Sequence, residues 1–198
     1  MRNSSIFGGN WQTMLRIISG ERKGRVIKTI EGTNTRPTSD RVKESLFNTL
    51  MFKLPGSSIL DLFSGTGNLG LESLSRGAAE VVFVEKNSSA LHILRYNLKS
   101  LEYWESAQVL PYDVKQAVKL LSKQAKTFDI VFMDPPYDKA MEVPVITALD
   151  EADLLKENGI IAAEHLFQSQ LPQNIGSFIR YDLRKYRNTA ISFYRKEP

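Results

Sequence analysis

Asp61-Leu62-Phe63-Ser64-Gly65-Thr66-Gly67-Asn68-Leu69-Gly70 decides how this chain folds. Ahead of the glycines, residues 59–63 read as a short apolar strand, and behind them residues 68–76 read as a helix stopped by Gly77. A Gly-x-Gly-x-x-Gly between a strand and its helix lets the backbone turn tightly and lets a ligand approach it closely. Glu85 follows Gly65 by 20 residues, at the end of a second strand over 81–85. A carboxylate in that place can bind both hydroxyls of a ribose. An adenosine-containing cofactor is implied; the glycine spacing alone leaves a nicotinamide dinucleotide and S-adenosylmethionine both open.

The alternation continues outward. Residues 87–100 form a helix with Leu91, Leu94, Leu98 and Leu101 at helical spacing, then a strand at 107–110, a helix at 114–124 and a strand at 128–133. Residues 160–163 make a further central strand after Gly159, and 178–183 and 189–194 read as two strands around 184–188. Nearly continuous apolar strands alternating with helices mean a parallel sheet covered on both faces. The final hairpin implies an antiparallel edge strand. Upstream, 15–18 and 25–28 flank a turn with Gly20 and Gly24, and a polar loop leads to Pro37. Thr38 or Ser39 then caps a helix carrying Val42, Leu46, Phe47 and Leu50 on one face, which Pro55-Gly56 breaks. The fold expected is α/β: a Rossmann-like, mostly parallel, doubly wound sheet with an antiparallel edge strand, plus a small N-terminal hairpin and helix. The expected division is a loose extension over 1–14, a hairpin-and-helix appendage over 15–56, and the main domain over 57–198.

The strand at 128–133 runs directly into Asp134-Pro135-Pro136-Tyr137. Two prolines end strand pairing at once and stiffen the exit. The turn holds an acidic acceptor, the Pro135 carbonyl and an aromatic face in a constant relation. Methyl transfer to the exocyclic amine of a nucleobase fits that trio best: Asp134 and the Pro135 carbonyl each accept one N–H, while Tyr137 stacks on the base; a proline-rich exit loop with an incidental Tyr is the plain alternative. Three details favour S-adenosylmethionine over a dinucleotide. Asp61 ends the first strand, where it can face an ammonium group but would repel a pyrophosphate. Asp113 follows the third strand, placed to accept from an adenine amine. No hydride-transfer constellation accompanies them. A helix cap or solvated charge is the plain alternative for Glu85 and for Asp113.

Composition narrows the class. The chain has 198 residues, 42% hydrophobic and 24% charged, enough for one full domain with a substantial core. No apolar run approaches the roughly 18–20 residues of a membrane span, and no sorting signal is read, so the cytoplasm is the default location. Cysteine is absent, which excludes disulfides, thiolate zinc sites and cysteine-adduct methylation of a ring carbon. His92 and His165 are too few and too far apart for a metal centre, so none is expected. The net charge of +4 is unevenly spread: 16–43 carry eight basic residues against three acidic, and 180–198 carry six against two. Basic flanks around an acidic middle suit a protein that grips a polyanion.

Together these residues resemble the class I, S-adenosylmethionine-dependent amino-methyltransferases. Leu15-Arg16-Ile17-Ile18-Ser19-Gly20 and Thr35-Arg36-Pro37-Thr38-Ser39-Asp40-Arg41-Val42-Lys43-Glu44-Ser45-Leu46-Phe47-Asn48 narrow the resemblance to RsmD-type enzymes, bacterial small-subunit rRNA guanine-N2 methyltransferases. It spans roughly 15–195. It implies that Asp61, Ser64, Gly65, Gly67, Glu85 and Asp113 bind the cofactor, that Asp134, Pro135 and Tyr137 handle an extruded guanine, and that Arg36-Pro37-Thr38 close over cofactor or base. Arg22, Lys23 and Arg25, the densest positive patch, are assigned to rRNA phosphates. The partner implied is small-subunit rRNA, naked or within an assembled or assembling subunit. Two alternatives stand beside this reading: a DNA methyltransferase of adenine N6 or cytosine N4, and a catalytically silent RNA-binding assembly factor on the same fold.

Overall fold

Apart from Asp129 near its start, Phe128–Met133 is apolar and buried, as a strand covered on both faces must be. It forms the middle of an eight-stranded sheet in a computed structural model that describes residues 15–30, 40–136 and 140–197. The extension 1–14, Arg36, Thr38 with the expected helix cap, and Tyr137 lie outside the described residues.

In chain order the elements are a two-residue hairpin, β1 (Leu15–Arg16) and β2 (Val26–Ile27), then α1 (Asp40–Leu50), β3 (Ser58–Asp61), α2 (Asn68–Ser75), β4 (Glu80–Val84), α3 (Ser88–Ser100), a 3-10 turn, β5 (Ala107–Leu110), α4 (Val114–Lys123), β6 (Phe128–Met133), α5 (Glu142–Glu151), β7 (Leu155–Leu166), β8 (Asn174–Ile175), β9 (Phe178–Tyr186) and β10 (Thr189–Lys196). The sheet order is β5-β4-β3-β6-β7-β10-β9-β8, with β3 to β7 parallel. This is the Rossmann-like, doubly wound architecture expected. The long antiparallel strand, β10, is inserted between β7 and β9 rather than lying at the edge, which is held by the two residues of β8. With β10 reversed against both neighbours, β9 points the same way as β7.

Side chains alternate between two cores. Phe132, Ile59, Phe83 and Ala162 face a layer containing α1, α2, α3 and the N-terminal hairpin; Met133, Leu60, Val84 and Ala163 face α4 and α5. The helix read upstream of Pro55 is therefore a wall of the first core, with Phe47 against Phe132 at 5.8 Å between ring centroids. α5 is absent from the sequence reading. Pro144 suggests a break there, but it sits in the helix's first turn, where a missing N–H costs nothing. β7 is also longer than expected, because Leu155 already pairs with Phe128 before Gly159.

One buried carboxylate binds the N-terminal segment to the sheet. Glu72 of α2 accepts the backbone N–H of Ile18 at 2.8 Å and of Ser19 at 3.0 Å, and Nε of Arg76 at 2.8 Å. Lys43 of α1, fully buried, approaches it at 3.3 Å and also donates to the Arg16 carbonyl and to Oδ1 of Asn68. Removing one member of a buried pair strands the other in low dielectric. Glu72→Ala is expected to lower stability by about 3–5 kcal/mol in denaturant titration, with faster hydrogen exchange at Ile18 and Ser19. A loss within the range of an exposed pair, about 1 kcal/mol or less, would show the pair to be peripheral.

Candidate active site

Every parallel strand delivers its last residues to the same edge of the sheet. Asp113 follows β5, Glu85 follows β4, Asp61 ends β3 and Asp134 follows β6, so four acids far apart in sequence line up in the order of the strands. Between them the glycine loop leaves β3. Ser64 donates its N–H and its hydroxyl to the Val84 carbonyl, each at 3.1 Å, and Gly67 closes the turn onto the Ser64 carbonyl at 2.7 Å. Gly65 and Gly67 have φ of +53° and +95°, the left-handed region that glycine enters without strain. A Cβ on Gly67 would lie 2.6 Å from Leu94, whereas one on Gly65 would meet nothing within 4 Å. Gly67 thus serves packing, and Gly65 offers an open backbone face to a ligand.

The acids differ in what they already hold. Glu85 accepts from the Gly65 N–H at 2.9 Å and the Asn87 N–H at 2.6 Å, so it fixes the loop beside which a ribose would lie. Asp113 caps α4 through Oδ1, accepting from Gln116 N–H at 3.0 Å; the cap reading holds for that oxygen. Asp61 is buried and accepts from Gly70 N–H at 3.1 Å. Its pKa is pushed up to about 7, first by desolvation and further by the neighbouring Glu85, against the lowering effect of the Gly70 N–H. A buried carboxyl in that state gains from a cation placed against it. Asp134 is half-buried and Pro135 buried at the exit of β6.

The loop is also anchored from behind. Asn97 of α3 donates to the Thr66 carbonyl at 2.9 Å and to the Lys28 carbonyl at 3.0 Å, while its Oδ1 accepts the Lys28 N–H. Lys43 bonds Asn68, the first residue of α2. Neither residue was singled out from sequence; the available signal was a polar residue inside an apolar helical stripe, as Asn97 stands beside Leu94 and Leu98.

The structure does not bring Arg22, Lys23 and Arg25 to this edge. Arg22 pairs with Glu102 at 2.7 Å, its N–H meets Ser75 Oγ at 3.0 Å, and Arg25 bonds the Ser100 carbonyl at 3.0 Å. Ser75 and Ser100 end helices that run back from the glycine-loop edge, so this tip lies at the opposite edge. The basic turn between β9 and β10 lies on the reacting side instead: Thr189 is opposite Leu166, and Phe167 N–H donates to the Asn188 carbonyl at 2.9 Å. Lys185 stands over the exposed Phe167 ring at 4.8 Å. Among the described residues, no group of three or more His, Asp or Glu could hold a metal ion, and no helix is long and apolar enough to cross a membrane.

A family model described as Conserved hypothetical protein 95 matches residues 15–195. The chain belongs to that family. Bacillus subtilis YlbH is 40% identical to this chain over 182 residues, 92% of this chain and 99% of its own. A Haemophilus influenzae relative named Ribosomal RNA small subunit methyltransferase D is 37% identical over 184 residues, 91% of this chain and 92% of its own. The solved structure of Escherichia coli yhhF matches with a TM-score of 0.81 at 30% identity, covering 93% of this chain and 98% of that one. The resemblance to RsmD-type enzymes is borne out at the level of the family.

Asp61 makes the site's charge state visible in stability. Unfolded, its carboxyl titrates near 3.8; folded, near 7, so between those values the folded state holds a proton that the unfolded state lacks. Stability from this group is therefore full below about pH 4 and lost as pH rises through 7. Thermal melts should show Asp61→Asn gaining on the wild type from pH 5 to pH 8; parallel curves would remove the shift.

Proposed function

We propose that this protein is an S-adenosylmethionine-dependent methyltransferase acting on the N2 amine of a guanine in small-subunit rRNA. The observation that carries this reading is the shared edge: the Asp134-Pro135 exit of β6 opens beside Asp61 and the Gly65 face after β3, and Glu85 follows β4 on the next strand. The relative named for small-subunit rRNA methylation, 37% identical over nearly its whole length, supports the substrate.

The residues present fit the cofactor. Glu85 holds the loop and takes the ribose hydroxyls, Asp61 receives the ammonium of the methionine end, and the second oxygen of Asp113 is the acceptor for the adenine amine. S-adenosylmethionine, when bound, supplies an electrophilic methyl on a sulfonium. The chain's own task is to make a poor nucleophile react. The guanine amine's lone pair is delocalised into the ring; Asp134 and the Pro135 carbonyl accept its two N–H bonds and orient it. The Asp134 carboxylate then offsets the positive charge that develops on nitrogen and takes up the departing proton, or passes it to water. A base inside a helix cannot reach this edge, so the guanine must be extruded or unpaired. Tyr137 and Arg36-Pro37-Thr38 are assigned to the base and to closure over the site. Arg184, Lys185 and Arg187 are the first candidates for rRNA phosphates, with Arg22, Lys23 and Arg25 reaching further ones at the opposite edge.

Labelled-methyl transfer to rRNA from a strain lacking the gene, followed by mass-spectrometric mapping, is expected to give one N2-methylguanine. Transfer to DNA alone, or none, would overturn the reading. Asp134→Ala should abolish transfer with cofactor affinity near wild type, and Asp134→Asn should keep partial activity; equal large losses of cofactor binding in both would assign Asp134 to the cofactor instead. Replacing Arg184, Lys185 and Arg187 with Gln should flatten the salt slope of RNA binding by roughly 2, at about 0.7–0.9 per lost phosphate contact. An unaltered slope would return that turn to solvated surface.

A further inference from the structure

We infer that Glu164 is the residue by which this site selects guanine, its carboxylate accepting the N1–H next to the amine that Asp134 holds. The inference rests on the amino-methyltransferase reading and adds to it the origin of base choice.

β6 and β7 run parallel with Met133 opposite Ala163. One residue further, Asp134 leaves β6 while Glu164 is still within β7, on neighbouring strands about 4.8 Å apart at the spacing of a sheet. Alternation sets their direction. Phe132 and Ala162 point to the α1 side, Met133 and Ala163 to the α4–α5 side, so Asp134 and Glu164 both return to the α1 side. The other flank agrees: Glu164 lies opposite Ile191 of β10, a member of the same core. Glu164 is 7% exposed, in a strand that is otherwise apolar from Ile160 to Ala163. An aliphatic residue would serve the sheet at less desolvation cost.

Base chemistry gives that position a use. Asp134 and the Pro135 carbonyl together accept two N–H bonds, and any exocyclic amine offers two. They cannot distinguish guanine from adenine or cytosine. The ring nitrogen beside the amine can: it bears a hydrogen in guanine and a lone pair in the other two. An ionised carboxylate accepts from the first and repels the second. Glu164 stands one strand from Asp134, as the ring nitrogen stands one bond from the carbon bearing the amine.

The test uses the rRNA substrate with its mapped guanine either retained or replaced by 2-aminopurine, which keeps the 2-amine but has a bare N1. Wild type is expected to prefer guanine in kcat/KM by about 10⁴-fold, the scale on which a site built around a hydrogen bond rejects the analogue lacking it. Glu164→Gln can turn its amide NH₂ toward the bare nitrogen, and should bring the two substrates within about 10-fold of each other, the range of weak pocket discrimination. Glu164→Asp keeps the charge on a shorter stem, and should keep the preference with lower kcat/KM. If wild type methylates guanine while Glu164→Gln slows both substrates equally and keeps the full preference, Glu164 is structural and the inference fails. If wild type methylates no rRNA guanine at N2, the underlying reading fails and takes this one with it.

Discussion

The carboxylate of Glu72 is the constraint on which the arrangement depends. It is buried without exposure and satisfied by four donors from three parts of the chain: the hairpin's Ile18 and Ser19, Lys43 of α1 and Arg76 of its own helix. A charge so far from water is tolerable only when every lone pair is used. The hairpin, α1 and α2 therefore have one mutual placement that satisfies it. Apolar packing of Phe47 on Phe132 would allow some sliding; the carboxylate does not. Specificity of arrangement, more than net stability, is what such a pair contributes here.

This placement reaches the reacting edge through two short links. Lys43 joins the ion pair to Asn68, and Asn97 joins the hairpin's Lys28 to Thr66. The two acceptors flank Gly67, Thr66 within the turn and Asn68 at the start of α2. The left-handed geometry of that turn is thus held from the N-terminal layer as well as by Glu85 in front. A cofactor loop fixed on both sides loses less entropy on binding than one that must be ordered by its ligand.

Much of this was readable from the sequence because the decisive signals are local. Residues 61–70 and 134–136 carry their geometry in closely spaced glycines and adjacent prolines, and apolar strands of four to six residues advertise a parallel sheet. Lys43 and Glu72 were not readable: in a helical pattern, a buried charge and a solvated one look alike. α5 was hidden by Pro144, whose harmlessness depends on its lying in a first turn. The hairpin's basic tip was matched to nucleic acid on charge alone, and sequence does not say at which edge of a sheet a charge will lie. Glu164 stands directly after an apolar run, and its neighbour across the strand becomes known only with the register.

The insertion of β10 has a bearing on how the chain comes to be folded. β7 closes its outer side with residues 189–196, which lie more than twenty positions further along, and β9 can join the sheet only through β10. Until that segment emerges from the ribosome, one flank of β7 is an unpaired edge beside a half-covered core, the kind of surface that recruits another chain. The cofactor loop, by contrast, has its flanking strands in place once β3 is paired with β4 and β6. The outer side of β7 is therefore closed only when β10 is in place.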